Sequence, residues 1–201
     1  MQIIILGGFL GSGKTSVLLQ LAKRLTAQTP GKENRIAIIE NEIGDIGVDD
    51  QTLGGSGGYD VQSLFSGCVC CTLTGELLTS IQKLGRDLDP DYVVLEPSGV
   101  ADPGNIASNI EEYLHLPVSI TCLVDAERWE ILQKAMNMLI GSQLDAADLI
   151  LVNKIDKIDA DALARTEESI KGYNDHARLE SICANGEIAP EILDAISGQE
   201  A

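Results

Sequence analysis

The stretch "GFLGSGKT", from Gly8 to Thr15, constrains the fold of this chain more than any other feature. It matches the pattern G-x-x-x-x-G-K-[ST], in which glycines allow backbone N–H groups to surround a phosphate. The apolar segment "QIIIL" precedes it and a helical pattern follows. Because this strand, loop and helix order gives the pattern its physical meaning, the motif predicts a nucleotide site at the start of a helix. A glycine-rich turn without a ligand is the alternative, and the surrounding patterns argue against it.

Each residue type in this motif has an expected role. Lys14 should reach the terminal phosphates and take part in catalysis, and the Thr15 hydroxyl should bind Mg²⁺. The remaining nucleotide contacts of the motif are assigned to Gly8, Gly11, Ser12, Gly13 and Ser16.

Short apolar runs alternate with longer helical patterns along the rest of the chain, as in a parallel sheet covered by helices. We therefore predict an α/β fold of the P-loop NTPase type, with a doubly wound, mostly parallel sheet and helices on both faces. The spacing of Trp129, Met136 and Ile140 predicts core packing, and the glycine-rich segment 53–63 is predicted to be a loop. Predicted strands are 2–6, 35–40, 91–95, 119–124, 149–152 and 179–183; predicted helices are 14–27, 74–88, 104–114, 127–140, 161–173 and 190–196.

Length and charge limit the classes of function. With 201 residues, the chain is expected to form a single domain over 1–201. The formal net charge of −17 argues against nucleic acid and an anionic membrane surface as partners. The apolar run near the start is too short to span a bilayer and lacks the features of a signal peptide, so we expect a cytoplasmic protein.

The segment "NKID", at 153–156, follows the apolar run "LILV" and should lie at the carboxyl edge of the sheet. Asp156 can accept hydrogen bonds from N1–H and the exocyclic amine of guanine, which adenine cannot both provide. Asn153 can meet the base edge, and Lys154 can pack its stem against the ring. This motif favours GTP over ATP, and the later segment "CANG", at 183–186, could close over the base through backbone N–H groups.

The segment "EPSG", at 96–99, follows the apolar run "YVVL" and is predicted to lie at the same edge. Glu96 can hold Mg²⁺ directly or through water and is expected to take part in catalysis. The Gly99 N–H can sense the γ-phosphate, so we interpret this segment as a nucleotide switch.

Three of the five cysteines lie close together in "GCVCCTL", at 67–73. An odd cysteine count in a chain expected to be cytosolic argues against a disulfide framework and favours metal binding or redox chemistry. In an extended segment, Cys68 and Cys70 would point to one side, and the start of a helix would favour the Cys71 thiolate. Thiolates select Zn²⁺, Cu(I) or Co²⁺ over Mg²⁺. Cys122 and Cys183 fall on predicted strands and are expected to be small buried hydrophobic residues.

A fourth metal ligand must come from elsewhere. Glu40, Glu42 and Asp45, in the acidic segment "ENEIGDIG", are candidates, as is a water molecule. A solvated acidic turn is the alternative interpretation of this segment.

Taken together, "GGFLGSGKTS", "IENEIGDIGVD", "GCVCCTL", "EPSGVADP" and "VNKID" resemble the successive motifs of the CobW family of GTPases, relatives of HypB and UreG. The resemblance covers residues 1–156 and implies a slow GTPase that uses GTP or GDP with Mg²⁺, binds zinc or cobalt, and delivers it to a client metalloprotein. It also places Glu40, Glu42 and Asp45 beside the metal with Cys68, Cys70 and Cys71, and Lys14, Thr15, Glu96, Asn153 and Asp156 at the nucleotide and Mg²⁺.

The chain also departs from the family pattern. The usual carboxyl-terminal domain is expected to be absent, and its contacts could be replaced by a partner or by a nucleotide- or metal-dependent homodimer. The sequence leaves two alternative functions open. One is a regulatory module whose thiols sense redox state, and the other is a GTPase that assists a corrinoid or cobalamin-dependent system.

Overall fold

The computed structural model describes residues 1–27, 36–40, 60–63 and 74–198. Its strands form one parallel sheet in the order β3-β2-β4-β1-β5-β6-β7. The strands are β1 (Gln2–Gly8), β2 (Ile36–Glu40), β3 (Asp60–Ser63), β4 (Tyr92–Glu96), β5 (Val118–Asp125), β6 (Leu149–Asn153) and β7 (Arg178–Ser181).

Helices connect these strands and cover both faces of the sheet. They are α1 (Lys14–Ala27), α2 (Thr74–Asp87), α3 (Pro103–Leu114), α4 (Trp129–Leu144), α5 (Ala160–Lys171) and α6 (Pro190–Ile196), with a short 3₁₀ turn at Ile155–Lys157. Asp102 caps α3, where its carboxylate accepts a hydrogen bond from the Asn105 N–H, and Asp159 caps α5 in the same way. Within the described segments, no helix is long and apolar enough to cross a bilayer.

Alternating side chains of β1 divide the core into two layers. Ile4 and Leu6 pack with α1 and α6 on one face, whereas Ile3 and Ile5 pack with α2, α3, α4 and α5 on the other. Because both faces are covered, β1 is apolar at successive positions, as expected for a central strand of a parallel sheet.

All seven strands end at one edge of the sheet, and this edge collects the polar residues of the motifs. Strand β1 lies between β4 and β5. After β4, on one side of β1, the chain crosses over to form β5 on the other side. Such a crossover creates a crevice outside the carboxyl ends of the strands, where ligands bind in open α/β sheets. The predicted fold class is therefore confirmed.

Three local predictions were wrong. Asp60–Ser63, placed in a loop by its glycine-rich surroundings, is the edge strand β3. Cys183 lies beyond the end of β7 and is only partly buried, because β7 stops at Ser181. Met136 is 40% exposed and has non-helical backbone angles that kink α4, whereas Trp129 and Ile140 are buried as predicted.

Candidate functional site

The loop after β1 has the backbone conformation that its glycines predict. Gly13 has φ of +105°, and a Cβ added there would lie 2.2 Å from Asn153 Nδ2. Any side chain at this position would therefore strain the backbone and displace Asn153. Ser12 is fully buried, and its hydroxyl has no hydrogen-bond partner among the described residues. A loop with an orphaned hydroxyl beside the start of a helix fits a phosphate group.

The predicted phosphate and Mg²⁺ residues lie together at the start of α1. The Lys14 ammonium donates to the Gly8 carbonyl oxygen at 3.1 Å and lies 3.8 Å from Glu96 Oε1. The Thr15 hydroxyl is 3.4 Å and 3.5 Å from the two Glu96 carboxylate oxygens, and Ser16 follows half-buried on the same helix. A hydroxyl and a carboxylate at this separation form an oxygen donor set that fits Mg²⁺.

The segment 96–99 packs directly against the phosphate loop. A Cβ added to Gly99 would lie 2.6 Å from the Leu10 backbone nitrogen, so the two loops approach closely at this point. Between them lies a cleft of about 450 Å³. Residues from the phosphate loop, the 96–100 segment and α4 line it, among them Lys14, Glu96, Ser98, Arg128 and Met136.

Gln143, on α4, holds the 96–101 segment through hydrogen bonds, a role that no sequence motif indicated. It is 2% exposed, and its side-chain Nε2 donates to the Gly99 carbonyl oxygen at 2.7 Å and to that of Ala101 at 3.4 Å. A buried amide bonded to two carbonyl groups of this loop restricts where the segment can lie.

Asn153 connects the base motif to the phosphate loop. Its Nδ2 donates to the Ser12 carbonyl oxygen at 2.7 Å, and its Oδ1 accepts from the Ala184 N–H at 2.8 Å. The segment 183–186 was expected to close over the base through backbone N–H groups, and one of these, the Ala184 N–H, is engaged by Asn153. Gln20 on α1 supports the same loop, since its Nε2 donates to the carbonyl oxygens of Ala184 and Gly186 at 3.1 and 3.0 Å.

Asp156 lies at the exposed side of the same edge, where a base could approach it. The Cys183 thiol donates to Asp156 Oδ1 at 3.3 Å, and the Lys157 ammonium lies 3.4 Å from Oδ2. The hydrogen bond from Cys183 is the main cause that lowers the pKa of Asp156, and Lys157 adds to it. Cys183 is thus part of this site, whereas burial raises the pKa of Cys122 to about 12 and keeps that thiol protonated in the core.

An ion-pair network around the buried carboxylate of Asp125 joins the base motif to the phosphate loop. Asp125, at the end of β5, accepts from Lys154 Nζ and from Arg128 Nε, both at 2.7 Å. The Arg128 Nη2 in turn donates to the Leu10 carbonyl oxygen at 2.7 Å. Burial alone would raise the pKa of Asp125, but the hydrogen bonds from Lys154 and Arg128 outweigh it, and the pKa lies below its ordinary value. The sequence signal for this network was a carboxylate at the end of an apolar strand.

Most of the predicted transition-metal residues lie outside the described residues: Cys68, Cys70, Cys71, Glu42 and Asp45. In the part of the chain that the structure describes, no group of three or more Cys, His, Asp or Glu side chains could hold a metal ion. Glu40 ends β2, where its backbone is in register with Glu96 of β4 on one side and Ser63 of β3 on the other.

The family model for the CobW/HypB/UreG nucleotide-binding domain matches residues 2–180. The chain belongs to this family. The predicted resemblance is confirmed. The matched residues of the CobW/HypB/UreG domain include the phosphate loop, the 96–99 segment and the 153–156 motif, which lie on one edge of the sheet.

Several proteins with curated names are similar to this CobW/HypB/UreG chain. A "Zinc chaperone CobW" from Sinorhizobium sp is 31% identical over 220 aligned positions, which cover 94% of this chain and 60% of the relative. A "Zinc chaperone YjiA" from Escherichia coli (strain K12) is 34% identical over 166 positions, covering 77% and 49%. A "Zinc-regulated GTPase metalloprotein activator 1" from Schizosaccharomyces pombe is 29% identical, covering 96% and 48%. The chain thus spans about half the length of these relatives.

Two solved structures share the fold. The crystal structure of the Zn(II)-bound YjiA GTPase from E. coli superposes with a TM-score of 0.64 at 27% identity, covering 98% of this chain and 62% of that one. The hydrogenase maturation factor HypB from Archaeoglobus fulgidus superposes with a TM-score of 0.70 at 16% identity, covering 98% and 89%. At 16% identity, the similarity to HypB concerns the fold alone.

Proposed function

We propose that this domain binds GTP with Mg²⁺, hydrolyses it slowly, and binds a transition metal, zinc or cobalt, for delivery to a client metalloprotein. The observation that carries the proposal is the convergence of Lys14, Thr15 and Glu96 at the edge where β2 and β3 also end. The names of the relatives, which include zinc chaperones and a zinc-regulated GTPase, support the same function.

The nucleotide half of the proposal rests on the donor set around the phosphate loop. The Lys14 ammonium and the backbone N–H groups of the loop supply positive potential for the phosphates, as does the start of α1. The Thr15 hydroxyl and Glu96 supply oxygen ligands for Mg²⁺. When bound, Mg²⁺ would neutralise charge on the phosphate oxygens.

Guanine selection follows from Asp156, whose carboxylate is held at the open side of the site by Cys183 and Lys157. In the variant Asp156→Asn, the amide can donate to the 2-oxo group of xanthine but no longer accepts both guanine hydrogens. We expect a loss of GDP affinity of at least about tenfold and a gain for XDP, measured by titration calorimetry. Asp161→Asn, on the exposed start of α5, is the matched control. Unchanged GDP affinity in Asp156→Asn would remove the base assignment.

The metal half rests on the sheet register. Because Glu40 is paired with both Glu96 and Ser63, the segments that lead to Glu42 and Asp45 and to Cys68 leave neighbouring strands beside the Mg²⁺ residue. Thiolates of Cys68, Cys70 and Cys71 would supply soft ligands for Zn²⁺ or Co²⁺, with Glu40, Glu42, Asp45 or water to complete the shell. Nucleotide and metal would then bind to adjacent segments of the same edge, which supports coupling between them.

A metal titration in two nucleotide states tests this half. The Zn²⁺ and Co²⁺ affinities should differ between the GDP-bound protein and the protein with a non-hydrolysable GTP analogue. Cys70→Ser should lose stoichiometric metal, whereas Cys122→Ala, which removes a buried thiol outside the motif, should retain it. Full metal content in Cys70→Ser would overturn the thiolate site, and equal affinities in both states would overturn the coupling. Light scattering in the same samples reports whether a homodimer forms.

A further inference from the structure

Three buried side-chain polar atoms of the described residues lack a hydrogen-bond partner, and two are serine hydroxyls at the proposed nucleotide site. They are Ser12 Oγ in the phosphate loop and Ser98 Oγ in the 96–99 segment; the third is Trp129 Nε1. A buried hydroxyl without a partner is unfavourable and calls for a physical reason, such as a ligand or a catalytic role. For Ser12 the phosphate supplies that reason, whereas Ser98, in the segment interpreted as a nucleotide switch, has no role assigned to its hydroxyl.

Ser98 has a fixed position beside the residues proposed to bind the terminal phosphate and Mg²⁺. It lines the same cleft as Lys14 and Glu96. Its own carbonyl oxygen accepts from the Ala101 N–H at 3.0 Å, and the neighbouring Gly99 is held between Leu10 and Gln143. The loop is therefore anchored by contacts that leave the Ser98 hydroxyl unengaged.

The other polar side chains that line this cleft are already engaged. Lys14 carries no acceptor and bonds to loop carbonyls, and Glu96 lies against Lys14 and Thr15. Arg128 bonds to Leu10 and Asp125 through its guanidinium group. Ser98 alone among these lining residues offers both a free O–H donor and free acceptor lone pairs, which is the capacity needed to bind a water molecule and a phosphate oxygen together.

We propose that Ser98 is a catalytic residue of GTP hydrolysis, which accepts a hydrogen bond from the attacking water and donates its own O–H to a γ-phosphate oxygen. This inference rests on the proposed function. The water oxygen forms a bond to the γ-phosphorus while the bond from that phosphorus to the β,γ-bridging oxygen breaks. GDP leaves with the electron pair, and the water proton passes to the departing phosphate and then to solvent. Ser98 is not altered, and it acts by orienting the water.

Single-turnover hydrolysis separates this role from binding. Ser98→Ala should lower the rate constant for γ-phosphate release by about 10- to 100-fold, while the Kd for GDP changes by less than about twofold. Ser98→Thr keeps the hydroxyl and should recover most of the rate. Ser119→Ala is the matched control, because its hydroxyl bonds to the Ile196 carbonyl oxygen near the start of β5, at the opposite edge of the sheet.

A second measurement does not depend on turnover. The affinity for GDP with aluminium fluoride, which mimics the transferring phosphoryl group, should fall in Ser98→Ala by about the same factor as the rate, whereas affinity for GDP alone should not. If wild type hydrolyses GTP and Ser98→Ala matches it in both measurements, the role of Ser98 is overturned and the proposed function stands. If wild type binds no GTP or does not hydrolyse it, the proposed function fails and takes this inference with it.

Discussion

The side-chain amide of Asn153 donates from Nδ2 to the carbonyl oxygen of Ser12 at 2.7 Å, which ties the first residue of the base motif to the middle of the phosphate loop. The same side chain accepts from the Ala184 N–H at 2.8 Å. One buried amide thus fixes two loops that would contact opposite ends of a nucleotide. If the nucleotide binds as proposed, base recognition and phosphate binding depend on this shared contact.

Removing this amide should weaken both stability and nucleotide binding. In Asn153→Ala, the Ala184 N–H and the Ser12 carbonyl oxygen lose their partner, at a cost of about 1 to 3 kcal/mol in the free energy of unfolding. GDP affinity should fall by at least about tenfold, since both loops are released. Urea unfolding and titration calorimetry measure the two effects. Asn109→Ala, which removes an amide bonded within α3, should leave GDP affinity unchanged.

The Asp125 network should make stability depend on pH in a defined direction. Because the pKa of Asp125 in the folded protein lies below its ordinary value, its ionised form stabilises the fold above about pH 4, and this contribution is lost as the pH falls further. Asp125→Asn should be less stable than wild type at neutral pH, since Lys154 and Arg128 lose their shared counter-charge.

The difference between the two unfolding free energies is the informative quantity, because other carboxylates titrate in the same range. It should stay constant from pH 7 to about pH 4 and shrink as the pH falls below that value. Asp87→Asn, at an exposed position near the end of α2, is the matched control. A gap that stays constant with pH would contradict the role assigned to Asp125.

Two glycines should respond in opposite ways to the same substitution. In Gly99→Ala, the new Cβ would lie 2.6 Å from the Leu10 backbone nitrogen, so the two loops must separate. We expect a loss of about 1 to 3 kcal/mol in stability and a large loss of GTP turnover. In Gly75→Ala, on the first turn of α2, nothing lies within 4 Å, and stability should rise by about 0.5 to 1 kcal/mol. Equal effects of the two substitutions on unfolding would refute the close approach.

Cys183 should influence guanine binding through Asp156. Without the thiol donor in Cys183→Ala, the carboxylate is less well oriented, and GDP affinity should fall by about 3- to 10-fold. Cys183→Ser supplies a hydroxyl donor in place of the thiol and should restore most of the GDP affinity. Calorimetric Kd values for GDP distinguish these variants. Tight GDP binding by Cys183→Ala, equal to wild type, would show that the thiol does not orient Asp156.

The helices and strands that were predicted correctly are those whose own residues carry strong sequence signals. The bounds predicted for α1 and α6 agree with the structure, because a phosphate motif and a proline mark where these helices begin. Strand β3 was missed because "DVQS" is short, polar and preceded by glycines, and it pairs with β2 alone. Such an edge strand is specified by its neighbour rather than by its own residues.

The connections between motifs could not be found from the sequence. Asp125 meets Lys154 only because β5 and β6 are adjacent, and Lys154 adopts a left-handed backbone conformation that spacing does not reveal. Gln143 and Gln20 are ordinary helix residues until the fold brings them to the loops they hold. Motifs therefore identified which segments gather at the edge, and packing decided how they are joined.

The sole tryptophan of the chain, Trp129, follows the arginine that bonds to the phosphate loop. Its ring is buried edge-on against Tyr173, at 5.9 Å between ring centres, and its indole N–H has no partner among the described residues. Indole emission responds to polarity and hydration at close range, so any shift of Arg128 on nucleotide binding would alter the fluorescence of this one residue. If nucleotide binding shifts Arg128, the emission of Trp129 would report nucleotide occupancy and binding kinetics without a label.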